Sequence, residues 1–65
     1  MPIVRVDGPR IDIEKKRELA KRLTEAVAEV YGMDKRHIIV LINENEPENV
    51  SVGGELIADR LKGSR

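Results

Sequence analysis

In this 65-residue chain, Pro2 is the residue whose type and position bear most directly on chemistry. A small second residue permits removal of the initiator Met1, and removal leaves the secondary amine of Pro2 as the N-terminus. An α-amino group titrates at about 7.7–8.0, so near neutrality part of it is uncharged, and burial or nearby cations enlarge that part. Such an amine can serve as a general base. Its pyrrolidine ring fixes its direction, and a strand behind it would hold it in place. Taken alone, proline at position two marks only the loss of Met1, so the rest of the chain must supply the context. The other reactive types are scarce. There is no Cys, and the single histidine, His37, cannot build a metal cage. His37 lies at the entrance of a strand, where a surface role is expected. Asn43, Glu44, Asn45 and Glu46 form an acidic, polar loop suited to the edge of a site, without the helical flanks and regular oxygen ligands of a cation-binding loop.

The elements that must position Pro2 follow from the pattern. Pro2 to Asp7 reads P-I-V-R-V-D and fits a strand, which Gly8 and Pro9 stop. Asp12 is placed to cap a helix, with Glu14 in its first turn. The apolar positions Leu19, Ala20, Leu23, Ala26, Val27, Val30 and Tyr31 then make a helical stripe. Lys21 with Glu25 and Glu18 with Arg22 are i,i+4 pairs on the solvated face. Gly32 ends the helix as a left-handed residue, with Met33 as its apolar contact. After the turn Asp34–His37, the unbroken run Ile38–Ile42 has strand length and the composition of a strand covered on both faces. A right-handed βαβ unit places the two strands parallel in one sheet with the helix on one face. The other face needs a cover, and a second subunit's sheet is the economical one. Asn43–Asn49 reads as a loop, and Val50–Gly54 as a short hairpin turning at the double glycine. Glu55–Leu61 extends that hairpin or forms a half turn of helix, and Lys62–Arg65 are expected to fray. No repeat or second domain is present; residues 1–65 read as one α+β domain.

Composition narrows the classes further. A core built by so short a chain rarely stabilises it by more than ~3–5 kcal/mol. With no Cys and with Tyr31 as the sole aromatic residue, oligomerisation is the remaining staple. Twelve basic residues balance twelve acidic ones for a formal charge of +0, which argues against a nucleic-acid partner. The longest apolar run is too short to span a membrane, and Arg5, Asp7 and Arg10 interrupt any signal-peptide core. A soluble, cytoplasmic protein is expected.

Taken together, Pro2-Ile3-Val4 opening a strand, the helix from Asp12 to Tyr31, the strand from Ile38 to Glu44 and the segment Val50-Ser51-Val52-Gly53-Gly54-Glu55-Leu56 resemble the 4-oxalocrotonate tautomerase family. The resemblance covers nearly the whole chain. It implies a βαβ unit with a parallel two-stranded sheet and a short C-terminal hairpin, paired through sheets between subunits and assembled as a homohexamer, a trimer of dimers. It also implies keto–enol tautomerisation of an unsaturated 2-oxo acid such as 2-hydroxymuconate. Pro2 would take the proton from the 2-hydroxy group of a dienol and return it to a carbon of the conjugated chain, with no metal and no organic cofactor. Arg10 is the nearest match to a family arginine that grips a substrate carboxylate from the loop before the helix, although that loop is shorter here. Ile39 stands where typical members carry a second substrate-binding arginine, and Val50 stands where an aromatic residue often closes the pocket. Arg5, Arg36 or a residue of another subunit would have to compensate.

Two other readings remain open at this level. The same fold and Pro2 can serve hydration or dehalogenation of an unsaturated acid, with a protonated Pro2 as the acid. Alternatively, the chain is a non-catalytic assembly protein that has kept the scaffold, a reading to which Ile39 and Val50, standing where the arginine and the aromatic are missing, lend credit.

Overall fold

The computed structural model describes residues 1–63. The chain runs through strand β1 (Ile3–Gly8), helix α1 (Ile13–Tyr31), a 3-10 turn (Lys35–His37), strand β2 (Ile39–Glu44), a second 3-10 turn (Pro47–Asn49), strands β3 (Ser51–Val52) and β4 (Glu55–Leu56), and helix α2 (Ile57–Gly63). β1 and β2 pair in parallel from Ile3 opposite Ile39 to Gly8 opposite Glu44, and β3 pairs antiparallel with β4. The βαβ unit and the hairpin are therefore as the sequence predicts.

Local chemistry explains the boundaries. Pro2 falls just outside β1, yet its carbonyl accepts the N–H of Ile39 at 3.1 Å, so the ladder begins at Pro2. At the other end β1 continues one residue beyond Asp7, because Gly8 still pairs with Glu44 and its carbonyl accepts the N–H of Asn45 at 2.8 Å. The same pairing draws Asn43 and Glu44, expected in a loop, into β2. Pro9, with no N–H to offer a ladder, then ends the strand. Asp12 caps α1 as expected, its Oδ1 accepting from the N–H of Lys15 at 2.8 Å, a bond of a kind that contributes about 1 kcal/mol. Gly32 adopts φ 69° and closes the helix, and the N–H of Met33 reaches back to the carbonyl of Ala28 at 3.1 Å, as in a Schellman motif. Gly53 and Gly54, at φ 62° and 88°, form the hairpin turn; two successive positive φ angles match the twist of the flanking strands. The N–H of Ile57 then bonds to the carbonyl of Val50 at 2.8 Å. The tail extends the hairpin through Leu56 and then forms a helix of seven residues, longer than the half turn expected. Lys62 and Gly63, expected to fray, belong to α2; Ser64 and Arg65 lie outside the described residues.

The predicted apolar stripe is only partly used. Leu19, Ala20, Leu23 and Val27 are half-buried against the sheet, and Lys16, Thr24 and Ala28 join them. Val30 and Tyr31, on the same helical face, are 84% and 63% exposed. Length accounts for the difference. Nineteen helical residues span about 28 Å and six strand residues about 20 Å, so the last turns of α1 outrun the sheet. Of the expected i,i+4 pairs Glu18–Arg22 forms, Arg17 instead meets Glu14 at 2.8 Å, and Lys21–Glu25 is not made. Exposed pairs of this kind contribute little.

The face of the sheet opposite α1 is open. It presents Ile3, 60% exposed, and Leu41, 45% exposed, in register with Arg5. No described residue is fully buried. The chain measures 47 × 25 × 14 Å with a radius of gyration of 15.6 Å, where a compact chain of this length has roughly 11 Å. Its exposed surface is 5388 Å², against roughly 4,200 Å² for a compact monomer of this mass. The excess is more than the ~800 Å² that one standard interface covers per partner.

Candidate active site

Pro2 sits half-buried at the head of β1, tied through its carbonyl to Ile39. Pro2 and Ile39, far apart in sequence, are thereby neighbours across the sheet. With Met1 attached, the Pro2 nitrogen is an amide and has no base character. Met1 is 82% exposed, so its removal exposes the amine without vacating a packed position. The same end of the sheet carries the turn that leads into β2. There Arg36 meets Asp34 at 3.5 Å, and the N–H of His37 bonds to the carbonyl of Asp34 at 3.0 Å. His37 is exposed, as expected of a surface histidine.

Arg10 lies at the opposite end. Six residues of β1 separate the two positions by about 20 Å at 3.3 Å per residue. The Arg10 guanidinium donates to the Glu46 carboxylate at 2.8 Å. Val50 lies at this end as well, on an open groove of about 360 Å³ between Pro9, Asn45, Pro47 and Ile57. One chain thus holds the candidate residues in two groups, Pro2 and Ile39 at one end of β1 and Arg10 and Val50 at the other, and does not bring them together. Arg5 stands between them on the open face of the sheet, in register with Leu41.

Glu44 is a residue that sequence reasoning placed in an acidic loop at the edge of a site without its partners. Its Oε2 accepts the N–H of Ile11 at 3.0 Å and lies 3.0 Å from the Lys16 Nζ. The available signal was Lys16, a cation one turn before Leu19 and Ala20 on the apolar stripe of α1, where it needs an anionic partner. The Ile11 N–H, followed by the Lys16 ammonium, holds the Glu44 carboxyl below its ordinary value of 4.5, and the Arg10 charge adds to the effect. The folded chain therefore binds this proton less readily than the unfolded one. The resulting stabilisation is complete above the ordinary carboxylate pKa and is lost as pH falls through the depressed one. Thermal midpoints followed from neutral into acid are expected to fall less steeply for Glu44→Gln than for the wild type. Parallel curves would remove this linkage.

Among the described residues no helix is long and apolar enough to cross a membrane, and no three His, Cys, Asp or Glu side chains converge as metal ligands. A family model described as "Tautomerase enzyme" matches residues 2–60. The chain is 55% identical to DmpI from Archaeoglobus fulgidus, whose crystal structure superposes with a TM-score of 0.82 over 89% of this chain and 100% of that one. It is 37% identical over 46 residues to a 2-hydroxymuconate tautomerase of Bacillus subtilis, spanning 71% of this chain and 74% of that protein. A heterohexamer 4-oxalocrotonate tautomerase from Chloroflexus aurantiacus is 28% identical, with a TM-score of 0.82 over 91% of this chain and 97% of that one.

Proposed function

The chain belongs to the tautomerase family, and on that premise we propose that it interconverts the enol and keto forms of an unsaturated 2-oxo acid, with the Pro2 amine as general base once Met1 is removed. The observation that carries this reading is the seating of Pro2. The residue is half-buried, its carbonyl is fixed by the Ile39 N–H, and only the exposed Met1 precedes it. An amine freed there is aimed by the sheet and by its own ring.

In the proposed reaction the neutral amine takes the proton of the 2-hydroxy group of a dienol. The oxygen's electron pair becomes the C2 carbonyl, and the double bonds shift along the chain. The terminal carbon of the conjugated system then takes the proton back from the Pro2 ammonium, which restores the amine. Arg10 holds the substrate carboxylate, giving up Glu46 to do so. Because Arg10 and Pro2 lie at opposite ends of β1, the Arg10 that serves a given Pro2 comes from another copy of the chain. The proposed assembly is a trimer of dimers paired through the open sheet face of Ile3 and Leu41. The hexameric state of the Chloroflexus relative and the extended shape of the single chain support it.

Ile39 and Val50 give the pocket apolar walls. At the Pro2 end no cation from this chain's β2 stabilises enolate charge or lowers the amine's pKa. A substrate with one carboxylate, gripped by Arg10, suits these walls. The test is a panel of 2-hydroxymuconate, a 2-hydroxydienoate with one carboxylate, and phenylenolpyruvate, followed by ultraviolet absorbance with protein whose intact mass confirms loss of Met1. Ketonisation of the monocarboxylates is expected at least as fast as that of the dicarboxylate. No turnover of any of the three would reject the reaction.

A further inference from the structure

We propose that Glu44 is a positioning residue for Arg10, clamping the loop in front of α1 to the end of β2 so that the guanidinium is held where a carboxylate can meet it. The inference rests on the proposed role of Arg10.

The loop has only four residues between β1 and α1, and nearly all of its freedom is removed by named contacts. On its near side the Gly8 carbonyl is held by the Asn45 N–H at 2.8 Å. On its far side Asp12 is fixed as the helix cap by Lys15 at 2.8 Å. Between these ties Glu44 accepts the N–H of Ile11, the residue that directly follows Arg10, at 3.0 Å. Only Pro9 and Arg10 then remain, and the ring of Pro9 fixes its own φ. The Glu44 carboxylate is in turn held by Lys16, whose stem is half-buried on the inner face of α1, so strand, loop and helix meet at one carboxylate.

Glu44 does not itself reach the proposed substrate. Remove it, and the Ile11 N–H turns to solvent while the Arg10 backbone is free to swing between the ties at Gly8 and Asp12. A displacement of about 1 Å in a group that orients substrate can cost up to 10²-fold in rate. Here the displaced group binds the non-reacting carboxylate, so the loss falls on binding.

The experiment uses the assembled, Met-free enzyme and a 2-hydroxydienoate. Glu44→Ala is expected to raise KM by about tenfold with kcat within about twofold, the pattern of lost uniform binding. Glu44→Gln, which keeps an oxygen for the Ile11 N–H, is expected to recover most of that loss. In an Arg10→Ala background Glu44→Ala is expected to add nothing, and amide exchange at Ile11 is expected to quicken in Glu44→Ala. If Glu44→Ala fails to assemble, Glu44→Asp carries the same test, because it keeps the charge and shortens the reach by one methylene. An unchanged KM for the Glu44 variants beside a raised KM for Arg10→Ala overturns the positioning role alone, as does an equal Glu44 effect with and without Arg10. No effect of Arg10→Ala on KM removes the role of Arg10 and the clamp with it.

Discussion

Alanine in place of Pro2, in protein freed of Met1, is expected to slow ketonisation of a 2-hydroxydienoate by about 10²–10⁴-fold, the range that a positioned general base contributes. The alanine amine remains a nitrogen base at the same point in the chain. What it loses is the ring, so that the amine rotates about its Cα bond and must be ordered anew in each transition state. The fold has no reason to change. The contact that anchors this position is made by the Pro2 carbonyl with the N–H of Ile39, and alanine supplies the same carbonyl. Circular dichroism and the assembly mass should therefore match the wild type while kcat falls. A second arm leaves Met1 attached, which converts the Pro2 nitrogen to an amide and is expected to abolish the same activity. An undiminished rate in the alanine arm would remove the role of the ring, and an undiminished rate with Met1 attached would exclude the Pro2 amine as the base. An activity that rises as the Pro2 amine becomes protonated would point instead to acid chemistry such as hydration.

What could be read from sequence was what is decided within a few residues or by a simple repeat. The capping carboxylate of Asp12, the left-handed Gly32 and the paired glycines at 53 and 54 are all local, and all stand where they were expected. Both long strands and α1 announced themselves through apolar spacing. The failures concern lengths and distances. The stripe on α1 gave no warning that Val30 and Tyr31 would be exposed, because that depends on the sheet being shorter than the helix. Glu44 reads in the sequence only as part of an acidic loop at a site edge because its two partners, Ile11 and Lys16, are brought to it only when β2 returns beside β1. The candidate site shows the same limit from the other direction. Pro2 and Arg10 are close in sequence and Pro2 and Ile39 are not, yet the extended strand separates the first pair and the parallel register joins the second.

That separation makes a further expectation, which tests where the site is built. Pro2→Ala and Arg10→Ala proteins are each expected to show low kcat/KM, one lacking the aimed base and the other the carboxylate grip. Unfolded together in equal amounts and refolded, they are expected to regain about a quarter of the wild-type kcat/KM, as random mixing in a symmetric assembly requires. Half of the Pro2 positions are intact, and half of those face an intact Arg10 when the two residues come from different copies. Were both supplied by one chain, every site in the mixture would carry one lesion and no activity would return. The geometry favours the first case. About 20 Å of β1 lies between the two residues, too far for one small substrate to touch both. The shape of the single chain leads to the same place: with no described residue fully buried and Ile3 and Leu41 open on the sheet, a copy alone lacks a core, and the proposed site needs a second copy. Regained activity should accordingly track the fraction of mixed assemblies, which native mass spectrometry can count. A mixture that forms hybrids and stays inactive would return Arg10 to the Pro2 of its own chain.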